Sequence, residues 1–154
     1  MNIKGQGRWL YRAVDKYGDT LDFLLTAKRD ATAAKRFFRN TLNARNSTTP
    51  RVINADQHKA YPPAVAALQE EKTLPQSVEL RQNKYLNNMI EQDHRFLQRV
   101  IKPGLGFKSF HTARRTIKGY EAMHMLRKGQ VMGVLKGDVL AQLNFMAQIF
   151  GVVV

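Results

Sequence analysis

The sequence of 154 residues contains no cysteine. Disulfide bonds and thiolate zinc sites are therefore excluded, and a reducing cytosol is compatible with the composition. Acidic residues are also few, because 12 Asp and Glu stand against 25 Lys and Arg, for a net charge of +13. A basic surplus of this size favours a polyanionic partner, since each neutralised phosphate releases counterions. Nucleic acid is the first candidate and an anionic membrane the second; a ribosomal protein would show a similar balance.

Long apolar runs are absent as well. The most apolar stretch, residues 140–154, is interrupted by polar side chains such as Gln142 and Asn144, and it is shorter than the roughly 20 residues that span a bilayer. The first residues are polar and do not have the apolar core of a signal peptide. We therefore predict a soluble protein, long enough to bury a core within one domain.

The predicted elements form a β-meander followed by alternating helices and strands. Runs of β-branched and aromatic residues indicate strands, and Asp30 and the pair Pro62-Pro63 are helix-start signals. The predicted strands are 9–14, 21–26, 52–55 and 77–81. The predicted helices are 31–43, 62–72, 89–101, 112–128 and 138–150. This order indicates an α/β fold in which helices pack on a mixed sheet.

Two carboxylates attract attention by their positions. Asp56 ends the predicted buried strand 52–55, and in α/β sheets ligands gather beyond the carboxyl ends of strands. Glu91 lies one turn into a later predicted helix. The simpler interpretations are a turn-forming or helix-capping Asp and a solvated helical Glu. The alternative is that both converge on a divalent ion, since Mg²⁺ takes one or two protein carboxylates and completes its shell with water and phosphate. Such a site would suit phosphoryl transfer on DNA, but the spacing alone does not establish it.

Five segments carry a family resemblance that runs in order through nearly the whole chain. They are WLYRAVD at 9–15, NADQHKAY at 54–61, NNMIEQDHR at 87–95, LGFKSF at 105–110 and ARRTIKG at 113–119. The block at 87–95 is the most specific of them. Together the segments resemble the bacterial insertion-sequence transposases of the sixth family, whose catalytic domain is RNase H-like and of the DDE type.

The resemblance implies an RNase H-like mixed sheet flanked by helices, with a helical C-terminal tail. Residues 1–102 would form the catalytic domain, and residues 103–154 an extension packed on it. The implied activity is Mg²⁺- or Mn²⁺-dependent cleavage at element ends and joining of the freed 3′-hydroxyl to target DNA. Asp56 matches the family's second catalytic Asp and Glu91 its catalytic Glu, so both are predicted metal ligands.

The resemblance also implies partners and a location. The predicted partners are DNA, both insertion-sequence ends and target, and further transposase subunits, either as a homo-oligomer or with full-length transposase. No membrane partner is predicted. The expected location is the bacterial cytoplasm, in association with the nucleoid.

One departure from the family pattern concerns the start of the chain. The family's first catalytic Asp lies in an Asp-Glu-Thr-Tyr motif that would fall just upstream of Met1, and the family's helix-turn-helix region is also not in the sequence. We therefore expect a transposase shortened at its N-terminus, with most of its first strand missing. Two catalytic carboxylates would then stand where catalysis needs three. Asp15 and Asp22 are weak substitutes, and Asp93 is interpreted as a helix-surface group or a support behind the metal ligands. The alternative function is a catalytically inactive transposase that binds DNA or full-length subunits.

Basic residues supply the predicted phosphate contacts, which position DNA without reading its sequence. Relatives often place Lys seven residues after the catalytic Glu, where this chain has Gln98. His94, three residues after Glu91, is predicted to support the metal ligands; the histidines show no zinc-ligand spacing. For the helical cations a solvated basic face is the alternative interpretation. The predicted DNA-binding residues are Lys59, Arg95, Arg99, Arg114, Arg115 and Lys118.

Overall fold

A computed structural model describes residues 1–44, 48–83, 88–102 and 107–152 of the chain. The chain forms two compact units, Met1–Phe107 and Lys108–Val154. The first unit combines strands with helices, and the second consists of helices joined by turns. This is the α/β class with a helical C-terminal end that the sequence predicts. The predicted division between residues 102 and 103 stays a prediction, because residues 103–106 lie outside the described ranges.

Two antiparallel hairpins begin the first unit. β1 (Asn2–Ile3) pairs with β2 (Gln6–Gly7), and β3 (Trp9–Val14) pairs with β4 (Thr20–Thr26). The second of these is the predicted meander. Its turn is closed by Asp15, whose carboxylate accepts the backbone N–H groups two and four residues later at 2.8 and 2.9 Å. The Asp15 side chain therefore stabilises this turn.

A parallel strand pair follows, with a helix between its strands. α1 (Ala31–Leu42) begins at the predicted cap, where Asp30 accepts the backbone N–H three residues later at 2.8 Å. β5 (Val52–Ala55) leads into α2 (Tyr61–Glu70), and β6 (Glu79–Gln82) returns parallel to β5. Because parallel strands end at the same edge, the residues that follow β5 and β6 meet there.

Two element ends of the first unit differ from the prediction by two residues. Strand β6 begins two residues after the predicted position 77, because the backbone N–H of Val78 closes a turn onto the carbonyl of Pro75 at 3.1 Å. Helix α2 ends before the predicted position 72, where Lys72 adopts a left-handed backbone with φ of 58°. Both differences are turn geometries, which apolar periodicity does not report.

The core of the first unit lies between α1, α2 and the strands. Aromatic side chains pack together within it: the Tyr11 ring lies 5.4 Å from the Phe37 ring and 6.3 Å from the Tyr61 ring, centroid to centroid. The buried members of this core are Tyr11, Ala33, Ala34, Phe37, Phe38, Ala60, Ala64, Val65, Leu68, Leu74 and Val78.

Helix α3 (Asn88–Ile101) is joined to β3 by a buried ion pair. Asp93 Oδ2 lies 2.7 Å from the guanidinium of Arg12, and the two side chains are only 7% and 1% exposed. The interpretation of Asp93 as a helix-surface group is therefore wrong. Because Asp93 and Glu91 are two residues apart, they point about 200° apart around the helix axis. The ion pair thus helps to fix the rotation with which α3 presents Glu91 to solvent.

The second unit contains two capped helices. α4 (Phe110–Lys128) begins after Ser109, whose hydroxyl accepts the backbone N–H three residues later at 3.1 Å, and ends at Gly129 with φ of 77°. α5 (Val139–Phe150) is capped by Asp138, whose carboxylate accepts a backbone N–H at 2.9 Å. Both helices confirm the predicted ones within two residues at each end. Over the residues that the structure describes, no helix is both long and apolar enough to cross a membrane.

Candidate metal and DNA-binding site

Asp56 directly follows β5, at the edge where the parallel strands end. Its Oδ1 accepts the backbone N–H of His58 at 3.0 Å, and its Oδ2 forms an ion pair with Arg29. The side chain is nevertheless 47% exposed. The turn-forming interpretation of Asp56 is therefore correct for one carboxylate oxygen, while the carboxylate as a whole stays open to solvent.

Gln82, the last residue of β6, holds the loop after β5 in place. Its amide Nε2 donates to the carbonyl oxygens of Asp56 at 3.0 Å and His58 at 3.1 Å. A side chain of β6 therefore hydrogen-bonds the turn that follows the neighbouring strand β5. This arrangement fixes the backbone from which the Asp56 carboxylate projects.

Arg29 lies between the end of β4 and the cap of α1, and its guanidinium reaches across to this edge. Besides its ion pair with Asp56, it donates to the Tyr61 hydroxyl at 3.4 Å. Its guanidinium carbon lies 5.6 Å from the centroid of the Trp9 ring and 5.9 Å from that of Tyr61, which are cation–π distances. Burial by itself lowers the pKa of Arg29, but the hydrogen bonds with Tyr61 and Asp56 outweigh it and raise the pKa. Arg29 therefore stays a cation at this site.

Two tyrosines within electrostatic reach of Arg29 remain protonated. Burial raises the pKa of the Tyr61 phenol above its usual range. Burial, with a contribution from nearby Tyr61, raises the pKa of Tyr11 to about 12. The phenols are therefore neutral near pH 7, so Arg29 and Asp56 are the charged groups in the hydrogen-bonded set around Tyr61.

The predicted residues of α3 lie on its solvent side. Glu91, Arg95 and Arg99 are all exposed. They follow one another at intervals of four, so they form one row along the helix. His94 is half-buried between this row and the side that carries Asp93. A negative charge at the N-terminal end of α3 is thus followed by two cations along the same face.

The other predicted phosphate contacts are exposed as well. Lys59 lies in the loop between Asp56 and α2, and Arg114, Arg115 and Lys118 lie on α4 in the second unit. The spacing of Arg114 and Arg115 with Lys118 groups the three on one side of α4. All of these side chains are accessible to a polyanion, as their predicted role requires.

The family model for the DDE domain of IS240-type transposases matches residues 1–130. The chain belongs to the DDE transposases of bacterial insertion sequences. The match includes Asp56, Glu91 and every predicted DNA-binding residue. Helix α5 lies beyond it.

Two transposases of Staphylococcus aureus are among the proteins similar to this DDE transposase chain. The transposase for insertion sequence-like element IS431mec and that for insertion sequence element IS257 in transposon Tn4003 are each 35% identical over 128 residues, which is 83% of this chain. An uncharacterised protein of Yersinia pseudotuberculosis is 36% identical over 72 residues, 45% of this chain and 67% of its own length. The alignment covers 54% of each staphylococcal transposase, so the chain spans about half the length of these curated relatives. No solved structure matches.

The DDE family uses carboxylates to hold divalent metal ions, and the donor types here fit that chemistry. Asp56 and Glu91 offer exposed carboxylate oxygens, the ligands that Mg²⁺ prefers. Within the described ranges, however, no three His, Asp or Glu side chains form a group that could hold a metal ion. The described hydrogen bonds and ion pair of the Asp56 side chain lead to His58 and Arg29. The convergence of Asp56 with Glu91 stays a prediction.

Sequence reasoning missed Arg29, Tyr61 and Gln82 as members of this site. Arg29 is 27 residues from Asp56 along the chain, and nothing in its local pattern indicates that contact. Gln82 carried one usable signal: it ends the strand that neighbours β5, so its side chain belongs to the same sheet edge. The candidate substitute Asp22 is instead directed to α1, where its carboxylate lies 3.4 Å from the Thr41 hydroxyl and burial raises its pKa.

Proposed function

We propose that this chain forms the catalytic part of a DNA transposase that cleaves and joins insertion-sequence ends with Mg²⁺ or Mn²⁺. The observation that carries the proposal is the exposed Asp56 carboxylate at the carboxyl edge of β5 and β6, within the segment that the DDE family model matches. In this proposal residues 1–102 form the catalytic domain and residues 103–154 its helical extension. The protein acts on DNA in the bacterial nucleoid.

Each predicted residue has a distinct part in this chemistry. Asp56 and Glu91 hold the divalent ions, and His94 supports them from the partly buried side of α3. When bound, the ions activate the attacking oxygen and stabilise the leaving one in in-line phosphoryl transfer. Two protein carboxylates are enough to bind one such ion, because Mg²⁺ retains water and accepts phosphate oxygens as further ligands.

The exposed cations hold the substrate. Arg95 and Arg99 continue the row that begins with Glu91, so DNA phosphates bound along α3 lie beside the metal ligand. Lys59 is three residues from Asp56 and serves the same purpose at the sheet edge. The cations of α4, Arg114, Arg115 and Lys118, add phosphate contacts that position DNA.

The direct test is Mg²⁺-dependent strand transfer with pre-cleaved insertion-sequence ends. The wild-type chain is compared with Glu91→Gln, and Glu70→Gln on α2 serves as a matched control because it removes the same charge from another exposed helical position. Activity that is lost in Glu91→Gln and kept in Glu70→Gln supports the proposal. Activity that persists in Glu91→Gln contradicts the role of this carboxylate.

A second candidate function is a catalytically inactive transposase that binds DNA or full-length transposase subunits. It is favoured by the lack of a three-residue metal-binding group in the described part of the chain, together with the net charge of +13. In the strand-transfer assay this candidate predicts no activity in the wild type or in either variant. Salt-sensitive DNA binding would remain in all of them, because the phosphate contacts do not depend on the metal.

We further propose that α5 contributes to association with another transposase subunit, either a second copy or a full-length one. No residue of α5 is buried, and the helix VLAQLNFMAQIF contains no charged residue. Leu140 and Phe150 are each 74% exposed. In a chain of charge +13, a charge-free apolar helix allows two copies to meet without bringing like charges into direct contact.

This association is tested by light scattering after gel filtration. The double variant Leu140→Gln with Phe150→Gln should be monomeric at concentrations where the wild type associates. The control Leu21→Gln changes an exposed leucine of β4 and should leave the association intact. A monomeric wild type would contradict self-association, and the same experiment with added full-length transposase tests the hetero-oligomer.

A further inference from the structure

Arg29 forms an ion pair with the proposed metal ligand Asp56, so it would compete with a metal ion for that carboxylate. Each oxygen of the Asp56 carboxylate already has one partner, since Oδ1 accepts the His58 N–H and Oδ2 pairs with Arg29. A divalent ion on Asp56 would lie next to a guanidinium that carries the same sign of charge. Two cations on one carboxylate repel each other, so a bound ion weakens the ion pair between Asp56 and Arg29.

The aromatic rings beside Arg29 define where its guanidinium stays when Asp56 releases it. Trp9 and Tyr61 flank the guanidinium at 5.6 and 5.9 Å, and the Tyr61 hydroxyl accepts from it at 3.4 Å. Asp56 takes no part in these three contacts. The Arg29 side chain is 24% exposed, so it is already partly accessible to solvent. The rings therefore hold the cation at the sheet edge after the ion pair opens.

We propose that Arg29 binds a DNA phosphate, and that it does so only after Asp56, its ion-pair partner in the free protein, has bound a divalent cation. The inference rests on the proposed metal-binding role of Asp56. In the free protein, Asp56 and Arg29 neutralise each other. When Asp56 takes the cation, Arg29 turns its free donors toward a non-bridging oxygen of the DNA backbone next to the metal. Guanidinium groups suit this task because their fork of N–H donors matches a phosphate.

The proposal predicts two effects of Arg29→Gln that no general loss of charge would produce together. Mn²⁺ should bind more tightly, by about threefold or more, because the competing cation is gone. DNA binding should weaken more when Mn²⁺ is present, with the slope of log K against log[salt] falling by about 1. Without Mn²⁺ the loss of DNA affinity should be smaller, because Arg29 is then paired with Asp56 and makes no phosphate contact. Lys28→Gln, which removes the neighbouring exposed cation, should affect DNA binding equally with and without Mn²⁺ and leave Mn²⁺ affinity unchanged.

Trp9 provides an optical readout that is independent of activity, because it is the single tryptophan of the chain. Its emission should change when Mn²⁺ binds the wild type and Arg29 leaves Asp56. Mg²⁺ repeats the titration without the paramagnetic quenching that Mn²⁺ brings. In Arg29→Gln the metal-dependent change should be absent. Thermal unfolding of each variant establishes that it is folded, and Arg29→Lys, which retains the charge, should keep the wild-type metal affinity.

The outcomes separate this proposal from the proposed function. If the wild type binds Mn²⁺ and Arg29→Gln binds it more weakly or equally, Arg29 does not compete for Asp56 and the inference is wrong, while the metal site stands. A loss of DNA affinity in Arg29→Gln that is the same with and without Mn²⁺ also overturns it. If neither the wild type nor Arg29→Gln binds Mn²⁺, the metal site and the inference fail together.

Discussion

The buried ion pair between Arg12 and Asp93 gives the sharpest stability prediction. Asp93→Asn keeps the shape of the side chain and removes its charge. The guanidinium of Arg12, whose side chain is 1% exposed, then loses a carboxylate at 2.7 Å and has no access to bulk water in exchange. The substitution should therefore strongly destabilise the first unit.

The expected magnitude follows from the burial of both partners. Removing one member of a buried ion pair costs about 3–5 kcal/mol in the free energy of unfolding, because the remaining charge stays buried. For a protein of this size, a loss of about 3 kcal/mol lowers the Tm by about 6–12 °C. Replacing both partners with apolar residues is often neutral, so Arg12→Met with Asp93→Leu should recover most of the loss.

Thermal and urea unfolding followed by circular dichroism measure these differences. Glu79→Gln is the control, since it breaks an ion pair with Arg81 in which both side chains are more than half exposed, and it should leave the Tm unchanged. If Asp93→Asn unfolds like the wild type, the ion pair does not stabilise the packing of α3 on β3. A double variant less stable than either single one would show that the pair is not the source of the loss.

Three further predictions test the DNA surface, the core and the backbone. Arg95→Gln should weaken DNA binding and lower the slope of log K against log[salt] by about 1, whereas Arg36→Gln on α1 should change neither. The raised pKa of Tyr11, about 12 against a usual 10, means that stability is retained below pH 10 and lost as the pH rises toward 12. Tyr11→Phe should reduce that alkaline loss in urea unfolding at about pH 9 and about pH 11, and an unchanged loss would contradict the assignment. Gly129→Ala should destabilise by about 1–3 kcal/mol, because its Cβ would lie 2.6 Å from a backbone nitrogen and φ is 77°. Gly119→Ala, with nothing within 4 Å, should instead stabilise α4 by about 0.5–1 kcal/mol in the same thermal unfolding assay.

The sequence predicted the elements of this fold because their signals are local. The cap of α1 at Asp30 and the aromatic pair Phe37 and Phe38 on its inner face place that helix correctly within one residue. The end of α2 and the start of β6 were less accurate, since they depend on a left-handed Lys72 and on the turn that ends at Val78. Turn geometry depends on single backbone angles, which residue periodicity does not encode.

The site was predictable only in part, because its charged contacts join distant segments. Motifs indicated Asp56 and Glu91, but the pairing of Arg29 with Asp56 appears only when the segment after β4 meets the loop after β5 in the folded chain. The sequence does contain a signal that predicts the burial of Asp93. Asp93 lies in the row with Ile90 and Leu97, at the helical spacing of the apolar positions, which predicts a side chain facing inward.

The most direct test of a metal site shared by Asp56 and Glu91 is calorimetric measurement of Mn²⁺ binding to the wild type, Asp56→Asn and Glu91→Gln, with Glu70→Gln as control. This measurement does not require the chain to complete a transposition reaction. We expect Mn²⁺ to bind the wild type and the control, and to bind each of the other two variants at least about tenfold more weakly. Removing even a supporting group of a metal site lowers metal affinity about 10–100-fold. Equal affinity in all four proteins would show that Asp56 and Glu91 do not share a metal ion.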